Sequence, residues 1–232
     1  MQAQNVLTIA AGLLAGCLMA MPAMAKEDLP MINDDGMELV KDTRMSTIYA
    51  DPDADLGVYN KIMLMDATVA FKKNWQRDLN RNSSYNAAFA VRDSDVERIK
   101  EDTATLFRDV FSKELVDGGY LIVDAPGADV LLVKPAIIDL DVTAPDVKSS
   151  YAGQSFSESA GEMTLVLELY DSQTNDLIVR AKDRKRDLQK GYMEWRTSVS
   201  NRAAAMRMMT AWAKTFRESL DDARLTVQTQ AP

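Results

Sequence analysis

The sequence predicts an α+β fold: a mainly antiparallel sheet with two amphipathic helices packed on one face, after a cleaved signal peptide. Three observations carry it. Met163, Leu165, Leu167 and Leu169 alternate with Thr164, Val166, Glu168 and Tyr170, the period of a half-buried strand. Two later and earlier stretches instead place apolar residues three and four apart, the period of a helix with one buried stripe. The elements follow the order strand, helix, strand, strand, hairpin, helix, which is the order of helices laid on a sheet rather than of a repeating parallel unit.

The chain opens with an uncharged apolar run over residues 6–21, then Pro22-Ala23-Met24-Ala25 and the charged Lys26-Glu27-Asp28. That pattern is a secretory signal peptide. The run is short against the roughly 20 apolar residues of a spanning helix. Its n-region is unusual in having no Lys or Arg. Within the run, Leu14-Ala15-Gly16-Cys17 resembles the lipobox of bacterial lipoproteins, in which the first residue after cleavage is a lipidated cysteine. The resemblance implies a signal peptide over 1–16, lipid at Cys17, and a membrane partner reached through that lipid. With Leu18 rather than Asp after the cysteine, it implies the outer membrane, facing the periplasm. Ala23-x-Ala25 offers a competing site, giving a 1–25 leader and a soluble periplasmic protein.

Residues 17–56 read as a tether and extended lead-in, with turns at Asn33-Asp34-Asp35-Gly36 and Asp51-Pro52-Asp53 and one short strand between them. A single α+β domain follows over 57–225. Its first strand lies in 59–71, with Ile62, Leu64, Val69 and Phe71 inward. Residues 72–85 lose periodicity and read as a surface loop, in which Lys72, Lys73, Arg77 and Arg81 gather around Trp75.

Ser94-Asp95-Val96-Glu97 fits a capping box, so a helix starts there. Val96, Ile99, Thr103, Leu106, Phe107, Val110, Phe111 and Leu115 form its stripe, and Gly118-Gly119 ends it. Residues 120–123 and 128–143 are strands. Pro135 has no N–H to give a ladder, which predicts that the second is an edge strand, or is bulged or split there. A polar loop covers 145–161. The hairpin then turns at 171–176, where Asp and Asn tolerate left-handed backbone and bond their own chain. Leu177, Val179 and Ala181 resume the apolar face, with Arg180, Lys182 and Arg184 opposite. Ala205, Met209, Trp212, Phe216, Leu220 and Ala223 make the stripe of a last helix, and 226–232 form a frayed tail.

Charge and composition narrow the function. A net charge of -8 disfavours nucleic acid, whose binding rests on Lys and Arg neutralising phosphates. With no histidine, and the one cysteine at position 17, the folded part lacks the usual general base and thiol chemistry, and it offers no cofactor or metal motif. Asp93, Asp95 and Glu97 read as charge at a helix N-terminus. Asp139 and Asp141 read as the wet side of a strand. The chain is therefore read as a binding protein and not an enzyme.

Tyr59-Asn60-Lys61-Ile62-Met63, Trp75, Gly119-Tyr120, Ala128-Asp129-Val130-Leu131, Ala144-Pro145 and Leu169-Tyr170-Asp171-Ser172-Gln173-Thr174 resemble the bacterial domain of unknown function 3313 family over residues 37–223. Where that family has Gly in the hairpin turn, this chain has Asn175. The resemblance implies an exported envelope protein and brings no site residues with it. Together these observations point to an envelope accessory protein that binds a partner or envelope component. Lys72, Lys73, Trp75, Arg77 and Arg81 are its candidate contacts. The alternatives are a carrier of a small apolar ligand between sheet and helices, or an enzyme using carboxylates. A cavity of several hundred cubic ångströms would favour the carrier.

Overall fold

In the computed structural model of the chain, residues 29–82, 90–145, 155–157, 159–187 and 194–230 are described. Cys17, the leader and both cleavage sites lie outside them. So does most of the predicted 145–161 loop.

Strands β1 (Glu38–Leu39) and β2 (Thr47–Ala50) come from the lead-in. Next are β3 (Lys61–Leu64), β4 (Thr68–Phe71), helix α1 (Trp75–Asn82) and helix α2 (Asp93–Asp117). β5 (Leu121–Ile122), β6 (Val130–Val142), β7 (Ser155–Ser157), β8 (Gly161–Asp171), β9 (Leu177–Arg186), β10 (Glu194–Arg196) and helix α3 (Ser198–Gln230) complete the chain. The main sheet runs β1-β2-β9-β8-β6-β3-β5, with β4 also on β6, while β7 and β10 pair separately. The sheet is mixed and mostly antiparallel: β3 and β4 run parallel to β6, and β5 runs parallel to β3.

The hairpin is the centre of this sheet. Met163, Leu165, Leu167 and Leu169 are all buried, in one core with Leu106, Phe107, Phe111, Trp212 and Phe216 from the two long helices. The turn works as its residues suggest. Asp171 Oδ1 accepts the amides of Gln173 and Thr174, each at 2.8 Å, and Asn175 takes the left-handed φ of 61°. A bulge near Leu169 and Tyr170 then puts both Ile178 and Val179 in the core.

Five expectations need correction. The lead-in supplies two strands to the main sheet rather than one short strand, because β1 pairs with β2 and β2 pairs with β9 from Thr47↔Lys182 to Ala50↔Val179. The 59–71 strand is interrupted at residues 65–67, and β3 and β4 both lie along β6. Strand β6 is central despite Pro135. The Val133 carbonyl accepts the Met65 amide at 3.0 Å, so two residues on, the proline nitrogen faces the same side. There the ladder passes from Leu64 on β3 to Thr68 on β4, and a missing donor costs little. Residues 75–82 are a third helix, not loop. Finally, α3 continues through residues 226–230, where a frayed tail was expected. The next helix breaker is Pro232, and a helix once formed propagates at little cost.

Helix α2 begins one residue before the predicted box. Its N-terminal carboxylate is Asp95, which accepts the Arg92 amide at 3.2 Å and pairs with Arg98 at 3.1 Å. Gly119 ends it with a φ of 84°, a conformation glycine adopts without strain.

Candidate ligand cleft between the helices

The cores of α2 and α3 meet firmly toward their C-terminal ends. Phe111 and Phe216 lie 6.3 Å apart ring to ring, and Arg217 donates to Glu114 at 2.9 Å. Toward their N-terminal ends the two stripes carry Thr103 and Ala205, shorter side chains than the Leu106, Phe107, Met209 and Trp212 that follow them. Between them, above Leu140 and Val142 of β6 and Met163 of β8, lies a cleft of about 330 Å³. Ile99, Leu106, Pro145 and Val199 extend its apolar wall. This volume falls at the lower end of the roughly 300–1,000 Å³ typical of small-molecule sites.

Polar groups stand at the rim and are largely committed. Arg98 pairs with Asp95 and, at 3.7 Å, with Asp102, and Arg202 approaches Asp109 at 3.8 Å. The Thr103 hydroxyl donates to the Ile99 carbonyl of its own helix at 2.6 Å. Asn201 Nδ2 donates to the Ala144 carbonyl at 3.0 Å, which ties the start of α3 to the end of β6. Asn201 Oδ1 is buried and finds no partner among the described residues. Asp102 is the carboxylate among the lining residues, and its side chain is 67% exposed. A cleft with an apolar floor and a self-neutralised rim suits a neutral or mainly apolar guest. Two converging buried carboxylates, which acid-base work would want, are not what lines it.

The predicted contact residues fare unevenly. Trp75 is 5% exposed, stacks on Phe71 at 4.0 Å between ring centroids, and donates from Nε1 to the Val142 carbonyl at 3.1 Å. Its ring is packing, and no partner can reach it. The reason is α1: one helical turn turns the indole onto β4 and β6, which a loop would not have done. Lys72, Lys73, Arg77 and Arg81 remain exposed around it. Lys72 reaches Asp141 at 2.9 Å, and that carboxylate holds its ammonium above the ordinary lysine range. Arg77 pairs with Asp78 at 3.2 Å. On β9, Arg180 pairs with Glu168 at 3.0 Å and with Asp35, while Arg184 and Arg186 share Glu162. Among the described residues, no group of three His, Cys, Asp or Glu is placed to hold a metal ion.

Residue reasoning missed the cleft itself. Its signal was a pair of small residues, Thr103 and Ala205, each just before the bulkiest part of its stripe. That signal has meaning only once the two helices are known to be neighbours.

The model of a family described as protein of unknown function (DUF3313) matches residues 30–216. The chain belongs to that family. The matched region of this DUF3313 protein takes in the sheet, α1, α2 and the cleft. No curated protein matches the chain. Among solved structures, it is similar to a Xanthomonas campestris protein of the DUF330 family, at 14% identity and a TM-score of 0.37, covering 80% of this chain and 95% of that one. It is also similar to the PelC dodecamer from Paraburkholderia phytofirmans, at 7% identity and a TM-score of 0.34, covering 74% and 96%. At these values the likeness carries neither a ligand nor an assembly over to this chain.

Proposed function

We propose that this protein is an exported, lipid-anchored envelope protein that acts by binding, and that it holds a small apolar molecule in the cleft between α2 and α3. The observation that carries the reading is the cleft: about 330 Å³, floored by Leu140, Val142 and Met163 and walled by Ile99 and Leu106, with its rim charges in ion pairs. Burying apolar surface there supplies affinity of roughly 25 cal/mol per Å² removed from water, before the costs of association. Export and anchoring rest on the sequence at 14–17 and on the apolar run before it. Binding rather than catalysis rests on a chain with no histidine and a single cysteine at its N-terminal end. The burial of Trp75 removes the aromatic anchor that favoured a protein partner, so the small-ligand reading comes first.

N-phenyl-1-naphthylamine, a neutral apolar fluorophore, tests it. One probe per chain should bind with a blue-shifted emission, and Ala205→Trp, which fills the cleft, should weaken binding at least tenfold while the melting temperature stays within a few degrees. Absence of binding to the wild type, or equal binding to both, would remove the reading.

A further inference from the structure

The exposed apolar residues nearest the chain's entry lie along one edge of the sheet, with Ile32 and Val40 toward one face of it and Met31 toward the other. Leu29, Met31, Ile32 and Val40 are 43%, 55%, 59% and 41% exposed. They are held in place rather than trailing. The Tyr49 hydroxyl donates to the Pro30 carbonyl at 2.9 Å, the Leu39 amide to Met31 at 2.8 Å and the Val40 amide to Ile48 at 2.9 Å, with Ile32 bridged to Glu38. This makes an apolar rim along the β1 edge of the sheet, the edge remote from β5.

What covers that rim is indicated by the chain before it. Eleven residues separate Cys17 from Leu29, and the twelve steps from one to the other span at most about 43 Å at up to about 3.6 Å each. The first of them, Leu18-Met19-Ala20-Met21-Pro22-Ala23-Met24-Ala25, are uncharged and mostly apolar. A polar spacer would hold a domain off a bilayer. Residues 18–25 favour the interface, and only the charged Lys26-Glu27-Asp28 lies between them and Leu29, so an interfacial stretch would leave Leu29 within three residues of the bilayer.

We propose that the β1 edge, through Leu29, Met31, Ile32 and Val40, lies against the headgroup region of a lipid bilayer, which fixes the orientation of the domain on the membrane. The inference rests on the export and anchoring reading above. Charge around the rim selects the lipid. Asp34, Glu38 and Asp42 stand exposed beside it against Lys41, while Asp35 is paired with Arg180. The local balance is negative, so the surface is zwitterionic rather than anionic.

The test uses the mature protein on dioleoylphosphatidylcholine vesicles, labelled with a bimane at Met31→Cys, at Val40→Cys, or at Leu121→Cys on the opposite edge, where Leu121 is 61% exposed. Acylation of Cys17 leaves the introduced thiol as the one that reacts. Brominated lipids should quench the first two labels at least twofold and leave the third unchanged, and the quenching should weaken on vesicles rich in phosphatidylglycerol. No quenching at Met31→Cys and Val40→Cys overturns the proposal, and so does equal quenching at all three positions. Intact mass reports lipidation separately. A chain found to begin at Lys26 that is still quenched at Met31→Cys keeps the rim and loses the anchor, whereas a lipidated chain with no quenching keeps the anchor and loses the rim.

Discussion

Leu167 and Trp75 show how little a side chain's type says about its role until its neighbours are known. Leu167 is 2% exposed, opposite Ala181 on β9 and Pro135 on β6. Leu167→Ala should lower unfolding free energy by about 2–5 kcal/mol in urea titrations, the range of large-to-small core changes. Trp75 belongs to the same class. Trp75→Ala removes the stack on Phe71 and leaves the Val142 carbonyl without its donor, so a loss of about 3–5 kcal/mol is expected in the same titrations. An unchanged melting temperature would return Trp75 to the surface.

Asp183 is the residue on which acid should act. It lies on the helix-facing side of β9, where sequence alternation gives no sign of a carboxylate's purpose, and is 7% exposed. Burial alone would raise its pKa. The opposing contacts win: Ser46 donates from its hydroxyl at 2.5 Å and its amide at 3.1 Å, Trp212 Nε1 donates at 2.8 Å, and Lys185 stands at 3.5 Å. The net effect is a carboxyl held below the ordinary range. A depressed folded value stabilises the protein above the unfolded carboxylate pKa of about 3.9, and that contribution disappears as pH falls through the folded value. Stability measured against pH should therefore fall below about pH 4, and Asp183→Asn should both weaken the neutral protein and flatten that fall. Trp212→Phe, which removes one donor and so brings the folded value nearer the unfolded one, should make the loss smaller and complete it at higher pH.

Elements were legible where a period repeats over several turns or pleats. The hairpin, α2 and the α3 stripe all follow from such runs, and the turn at 171–176 from its Asp and Asn residues. What periodicity could not show were places where one residue breaks the rule and its neighbours absorb the break. Pro135 reads as an edge signal because the sequence does not reveal that two short strands take turns along one side of β6. Asp139 and Asp141 read as one wet face, yet a bulge separates them: Asp139 takes a φ of 51°, and the ladder to β8 skips from Ile138 to Asp141. Gly161 is the other half of that irregularity. Its φ is 136°, and a Cβ there would stand 1.9 Å from the Asp141 carbonyl oxygen. Gly161→Ala must therefore move the β6–β8 pairing apart at this end. We expect a clear drop in melting temperature and faster amide exchange at Glu162 and Val142, with the pairs near Leu167 unaffected. Exchange unchanged at Glu162 would mean that the close approach is not needed.

At the scale of the whole molecule, the proposed reading gives binding to the sheet, its two long helices and the cleft, and gives the choice of place to the N-terminal segment. Leu14-Ala15-Gly16-Cys17 places the chain's one cysteine where a lipid would be attached, and no helix among the described residues is long and apolar enough to cross a membrane. A single acyl chain holds a protein marginally and two or more hold it stably, at about 0.8 kcal/mol per buried CH₂. Three chains at Cys17 would make attachment effectively complete. The rival is cleavage after Ala25, which leaves a protein starting at Lys26 with no lipid. The two outcomes differ by residues 17–25 and the lipid, so the intact mass of the mature chain separates them. We expect the heavier species, found in the membrane fraction and released by detergent, and Cys17→Ala found instead as precursor or as soluble protein. Wild-type protein recovered wholly without detergent, at the mass of residues 26–232, would end the anchor and leave the cleft to act in the periplasm.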